Sequence, residues 1–247
     1  MKNVKVLMLL AGAALTAVSA PASAQDSQEA RMRAALASPE RSEEDRARDA
    51  MRHPIEVVEF LGIEDGDDVL ELVAAGGWYT QVLSAAVGPQ GHVYAQNPAF
   101  FLGREGFVES ETALHDRLGN VTAVHGEVAD AGINGQMDAA LTALNLHDMY
   151  NSGGEEAAMP LIGSAFDALR SGGVFGVIDH RGMAGQPNAD YHRMEEQTAV
   201  ELLEKAGFVV EATSNILGNP ADDHMRGAGD PSLGRNSDRF LIRARKP

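Results

Sequence analysis

Two stretches of this chain carry residue types that could hold a ligand and act on it. The first reads Val69-Leu70-Glu71-Leu72-Val73-Ala74-Ala75-Gly76-Gly77-Trp78-Tyr79-Thr80. An acid, Glu71, lies in an apolar run, and four small residues, Ala74 to Gly77, precede a helical pattern. Small residues let a backbone approach a ligand, and a helix N-terminus offers free N–H groups. An ordinary strand-to-helix turn uses small residues too. The second stretch is Leu144-Asn145-Leu146-His147-Asp148, with Asp179-His180 further on. His147 could take a proton or orient an acceptor; a structural hydrogen bond at a strand end is the equal alternative. Adjacent strand residues point apart, so Asp148 orients His147 only if the chain turns there. His147, Asp148, Asp179 and His180 suit a divalent cation in part. Histidine is an uncommon ligand for Mg²⁺, and no metal site is assigned. His224 with Asp222 and Asp223 reads as a solvated loop that could cover a substrate.

The elements that must position these residues alternate in type. Ser42 is placed to cap a helix running to Arg52, and Pro54 restarts a helix that Gly62 stops. Strands are expected at Asp68–Val73, His92–Gln96, Val121–His125, Met137–Leu144, Val174–Asp179, Phe208–Ser214 and Arg239–Arg243. Helices are expected at Tyr79–Val87, Phe107–Leu118, Glu155–Leu169 and Arg193–Lys205. Strand and helix recur every 25 to 30 residues, roughly, as in a doubly wound parallel sheet. Right-handed crossovers then put the strand ends on one edge, where ligands bind. The last two strands are joined by a polar loop, residues 215–237, so an antiparallel pairing is expected there.

On these residues the chain resembles class I S-adenosylmethionine-dependent methyltransferases. More narrowly, it is similar to a group of exported bacterial predicted methyltransferases. The resemblance runs from about Ser38 to the C-terminus. It includes Glu44-Asp45-Arg46-Ala47-Arg48-Asp49, Asn145-Leu146-His147-Asp148-Met149-Tyr150 and Ser237-Asp238-Arg239-Phe240-Leu241-Ile242. It implies an α/β, seven-stranded Rossmann-like sheet with an antiparallel last hairpin. It also implies S-adenosyl-L-methionine as cofactor and a small-molecule acceptor. Under it, Glu71 anchors the glycine loop, and Ala74, Ala75, Gly76 and Gly77 pass beneath the methionine and ribose. Asn97, 26 positions after Glu71, stands where an acid usually grips the ribose. Glu127, with Val128 beside it, accepts from the adenine amino group. Asn145 and His147 line the strand-four edge, and Trp78 and Tyr79 could contact the methionine end, with Tyr79 and His147 the candidate catalytic pair. The chain departs from the pattern at Val73 and Ala75, where glycine is usual, and at Asn97. The acceptor pocket is expected between the lead helix, the strand-four and strand-five loops, and the 215–237 loop.

Composition narrows the field. There is no cysteine, which excludes disulfides and thiolate chemistry. The formal charge is −16, which disfavours nucleic acid as a partner. Lys2, Lys5, the apolar run Val6–Ala20 and Pro21-Ala22-Ser23-Ala24 have the order of a cleavable leader, residues 1–24, rather than of a spanning anchor. The expectation is an exported, periplasmic or secreted protein without a stable membrane anchor. Its charge after loss of Lys2 and Lys5 would be −18 instead of −16. Residues 25–41 are expected as a flexible lead-in or loose helix, and residues 42–247 as one methyltransferase-like domain. Oligomeric state is left open. Two other readings stand beside methyl transfer: an exported binding protein that kept the fold without the chemistry, and an NAD-dependent oxidoreductase. The missing G-x-G-x-x-G loop argues against the second.

Overall fold

The computed structural model describes residues 24–247. The expected leader lies outside the described residues except for Ala24. Helix α1 (Ala24–Leu36) occupies most of the segment expected as a flexible lead-in. Its Met32 is buried among side chains of the first crossover helix, and Gln28 donates to the carbonyls of Ile63 and Ala86 at 2.9 and 3.0 Å. α2 (Glu43–Arg52) begins where Ser42 accepts from Asp45 N at 3.0 Å. α3 (Pro54–Leu61) follows with proline in its first turn and ends at Gly62, whose φ of 71° suits a residue without Cβ. Among the described residues no helix is long and apolar enough to cross a membrane.

Seven strands form one sheet in the order β3-β2-β1-β4-β5-β7-β6. They are β1 (Asp68–Leu72), β2 (His92–Asn97), β3 (Val121–His125), β4 (Met137–Ala143), β5 (Leu169–His180), β6 (Val209–Ser214) and β7 (Arg239–Arg245). The first five pair in parallel, while β7 runs antiparallel between β5 and β6. This is the expected doubly wound sheet with its final hairpin. The connecting helices are α4 (Trp78–Val87), α5 (Ala99–Leu102), α6 (Phe107–Leu118), α7 (Leu146–Ala168) and α8 (Glu196–Lys205). Strand alternation sends Leu70, Phe175, Val177 and Ile242 to one face, against α7 and α8. Val69, Val93, Leu141 and Ile178 go to the other, against α1, α3 and α4. With both faces covered, the central strands β1, β4 and β5 are largely apolar, as buried parallel strands are.

Three expectations need correction. The chain turns directly after β4: Asn145 caps α7, so His147 and Asp148 lie in a helical first turn and not on a strand. Gly153 and Gly154 break that helix into two pieces, and only the second piece matched the helical pattern. Arg193 precedes α8 instead of opening it; Met194 pairs with Arg181 as an isolated bridge. Finally, Asp222 is not solvated. Its side chain and that of Arg193 are both fully buried, with Arg193 Nη2 donating to Asp222 Oδ1 at 3.1 Å. Arg193 also donates to the carbonyls of Arg226 and Arg181, and Asp222 accepts from the backbone of His224 and Asp238. This ion pair ties the 215–237 loop to the end of β5. Replacing Asp222 with alanine strands a buried guanidinium, which costs about 3 kcal/mol or more. Denaturant unfolding of Asp222→Ala is expected to show that loss.

Candidate functional site

The ends of β1 and β2 build a strained loop. Val73, Ala75 and Gly77 have φ of 58°, 50° and 73°. The first two hold left-handed conformations that L-residues resist, at about 1 kcal/mol or more each. Side chains of β2 compensate. Gln96 accepts from Val73 N at 3.1 Å, and Asn97 Oδ1 accepts from Ala75 N at 2.7 Å. Ala74 N donates to the Gln96 carbonyl at 2.9 Å. The backbone therefore has the glycine-type shape although two of the glycines are missing.

Asn97 is fully engaged. Its Nδ2 donates to Glu111 Oε1 at 2.9 Å, and Glu111 Oε2 lies 2.6 Å from His125 Nε2. Both amide atoms expected to face a ribose thus lock the loop to α6. Glu111 supplies a carboxylate at this corner from a helix that sequence reading did not credit. It is buried where an amphipathic surface helix would be expected to place an apolar residue. Leu114 of the same helix stands over Gly77: a Cβ built on that glycine would meet Leu114 Cδ2 at 2.2 Å. Between loop and helix a cavity of about 70 Å³ remains, lined by Ala74 to Gly77, Thr80, Asn97 and Glu111 among others.

Glu71 is buried, and burial pushes its carboxyl from 4.5 up to about 8, against the Thr80 hydrogen bonds and the charge of Arg52. Thr80 Oγ1 lies 2.6 Å from Glu71 Oε2. At neutral pH Glu71 is therefore chiefly a neutral strut under the first turn of α4. Glu127 is exposed at the end of β3, whereas Val128 is part of the core. Asn145 Nδ2 donates to the Ala143 carbonyl at 2.9 Å and reaches toward Val73 O at 3.5 Å, joining the β4 end to the loop.

A histidine cluster lies where β4 leads into α7 and at the end of β5. Asp179, fully buried, accepts from His147 N at 2.8 Å and sits 2.6 Å from His147 Nδ1. His147 Nε2 is 3.1 Å from Asp148, which in turn is 3.1 Å from His192 Nδ1. Burial depresses the His147 pKa, but the Asp179 hydrogen bond and the charges of Asp179 and Asp148 outweigh it, so the net shift is upward. One ligand atom from each of His147, Asp148 and His192 lies within 4.8 Å of the others. A carboxylate behind a histidine is the arrangement that orients a metal ligand, and it equally completes a hydrogen-bonded relay. His192, from a segment 44 positions after Asp148, was not visible as part of this group in the sequence.

His180 stacks edge-on to His147, with ring centroids 5.2 Å apart, and its Nδ1 is 2.6 Å from the Ser237 hydroxyl. Burial, reinforced by His147, Arg239, Arg193 and Arg52, holds its pKa well below the ordinary range, so it is neutral. It lines a second cavity, of about 190 Å³, with Arg48, Met51, Arg52, Leu144, Arg239 and the 228–235 segment. These are the elements expected to enclose an acceptor. Tyr79 is buried beside Trp78, ring centroids 4.7 Å apart. Burial raises its phenol to about 12 against Arg52 and Arg239, so it serves as a proton donor and not a base. Trp78 packs under α2, its Nε1 donating to Asp45 O at 3.0 Å.

The methyl donor implied by the resemblance was tested against these walls. The chemistry fits: a left-handed loop, Gly76 exposed at its rim, and Glu127 uncovered at the next strand end. The space does not fit with α6 in this position, since ligand pockets span roughly 300 to 1,000 Å³. Glu111 is the one buried residue of α6, so this helix has little apolar anchorage to resist displacement.

No known family profile matches the chain, and no curated protein does. Solved structures do. A SAM-dependent methyltransferase from Aquifex aeolicus aligns over 88% of this chain and 97% of its own, at 18% identity and a TM-score of 0.59. The 1,6-didemethyltoxoflavin-N1-methyltransferase of Burkholderia thailandensis, solved with S-adenosylhomocysteine, aligns over 93% of each chain at 21% identity and TM-score 0.57. The [4+2]-cyclase SpnF aligns over 91% of this chain and 96% of its own, at 15% identity and TM-score 0.59. At these identities the likeness establishes the Rossmann-like methyltransferase fold.

The Glu71 shift has a signed consequence. A carboxyl whose folded pKa lies above its unfolded value stabilises the fold fully below 4.5 and loses that contribution as pH rises through about 8. Glu71→Gln stays neutral and escapes the loss. Its denaturant midpoint relative to wild type is expected to improve from pH 5 to pH 8.5; parallel profiles would show that Glu71 is ionised throughout.

Proposed function

We propose that this protein transfers a methyl group from S-adenosylmethionine to a small-molecule acceptor. The observation that carries the reading is the left-handed loop at Val73, Ala75 and Gly77, held by Gln96 and Asn97 at the central edge of a sheet with this strand order. When bound, the donor supplies a sulfonium methyl that is displaced in line. Gly76 and Gly77 would lie beneath its methionine and ribose, and Glu127 would accept from its adenine amino group. Admission requires Leu114 and α6 to lift from Gly77.

The remaining tasks belong to this chain's own side chains. An in-line displacement needs the acceptor aligned and, where it carries a proton, a group to receive it. His180 is the neutral group on the cavity wall, held by Ser237; burial and the cations around it make it a weak base, suited to hydrogen-bonding and aligning the acceptor. His147, expected as the base, is buried with both ring nitrogens against carboxylates. It acts as a positioning residue, its ring held by Asp179 edge-on to His180 at 5.2 Å between centroids. Tyr79, a neutral phenol between Arg52 and Arg239, orients but does not deprotonate. The leader-like residues 1–24 support export as the setting.

A second reading, a binding protein without methyl transfer, is favoured by one observation: the 70 Å³ left between the loop and α6. Incubation with methyl-labelled S-adenosylmethionine and a small-molecule extract separates the two. Label is expected in a low-mass product, and His180→Ala is expected to cut the rate by about 10²-fold. No label in any product, together with no binding of the donor, would leave the second reading.

A further inference from the structure

The cavity beside His180 has a chemical character of its own. The chain carries 36 acidic residues against 20 lysines and arginines, yet four arginines, Arg48, Arg52, Arg235 and Arg239, line this one small space. Two of them are neutralised. Arg48 is 2.5 Å from Asp45, and Arg235 is 2.6 Å from Glu44. Among the described residues, neither Arg52 nor Arg239 has a carboxylate within ion-pair distance. Arg239 is only 4% exposed; one Nη donates to the Arg235 carbonyl, and its Nε has no hydrogen-bond partner. A guanidinium buried without a counter-ion carries a large desolvation cost that a fold alone has no reason to bear.

Arg52 is held differently. Its guanidinium lies over the Trp78 ring at 4.5 Å and is 5.7 Å from the Tyr79 ring centroid. Stacking fixes the plane of the fork and leaves its N–H edge for a ligand. Burial, with Arg239 and Arg48 nearby, lowers its pKa to about 10, against Tyr79 and Asp45, so it remains cationic at neutral pH. The acids that act on Arg239, Asp179 and Asp238, do so from beyond ion-pair distance. The other walls are neutral or small: His180, Met51, Leu144, Ala228 and Gly229.

We propose that this cavity binds an oxyanion, a carboxylate or phosphate group, through Arg52 and Arg239, and that the group is the anionic end of the methyl acceptor. The second clause rests on the methyl-transfer reading; the first does not. Two guanidinium groups without a carboxylate counter-ion among the described residues, meeting in one cavity, suit recognition of a planar or tetrahedral oxyanion. An anionic handle fixed there would leave the rest of the acceptor against Leu144 and His180, on the side of the loop.

Trp78 is the sole tryptophan, so its fluorescence reports on Arg52 directly. The experiment is a titration with sodium phosphate at ionic strength held constant with chloride, followed by Trp78 emission and by thermal unfolding. Wild type is expected to show a saturable change in both. Arg52→Gln and Arg239→Gln are expected to weaken it at least tenfold, whereas the exposed Arg33→Gln leaves it unchanged. Arg52 is only half-buried, so its variant keeps the test valid should Arg239→Gln fail to fold. No response in wild type, or an equal response in the variants, overturns the site. Repeating the titration with saturating S-adenosylhomocysteine assigns the anion. Phosphate binding alongside it supports an acceptor site, and displacement would give the arginines to the cofactor's own carboxylate and overturn that assignment. Arginine-dependent phosphate binding in a protein that ignores S-adenosylhomocysteine would support the oxyanion site and count against methyl transfer.

Discussion

The hydrogen bond from Ala75 N to Asn97 Oδ1 is the constraint on which the site depends. Alanine resists the left-handed backbone it occupies there, and valine resists it more at position 73. The end of β2 supplies the compensation by accepting from both backbone groups. The same Asn97 then binds Glu111 and brings α6 down over the loop. One side chain thus shapes the cradle and closes it. A carboxylate in its place could accept from Ala75 but could not donate to Glu111. The asparagine at this position is therefore tied to the position of α6.

At the ends of β4 and β5 the same edge of the sheet is organised by charge. Asp179 fixes His147, and burial, reinforced by His147 and the neighbouring arginines, keeps His180 neutral. Arg193 and Asp222 bind the late loop over this region, completing the wall that carries Arg235 and leads into Arg239. The loop and the arginine cavity meet through Leu144, itself left-handed at φ 65°, and through Asn145. The fold alone does not specify what passes between them. The likeness to a cyclase as well as to methyltransferases shows one sheet serving different chemistries.

Much of this frame was legible in the sequence because local patterns coincide with tertiary need. Phe107–Leu118 ends at Gly119 as its periodicity predicts, and Ser42, Pro54 and Gly62 mark their helices as expected. The small-residue turn follows β1, with Glu71 inside that strand, as the local pattern predicts. What escaped were features that depend on partners far along the chain. Asp222 is buried because Arg193 is, and nothing near either residue signals it. Glu111 becomes a buried acid only when α6 meets Asn97. The first turns of α7 are too short, before Gly153 and Gly154, to show a period. The arginine cavity joins α2 to β7, nearly the whole domain apart in sequence.

Under methyl transfer the loop is a cofactor cradle beneath a displaceable α6. Calorimetric titration of S-adenosylhomocysteine into the wild-type protein and into Leu114→Ala tests it most directly. Saturable one-to-one binding to both is expected, tighter in Leu114→Ala because less side chain must leave Gly77. No heat and no thermal stabilisation in either protein would contradict it.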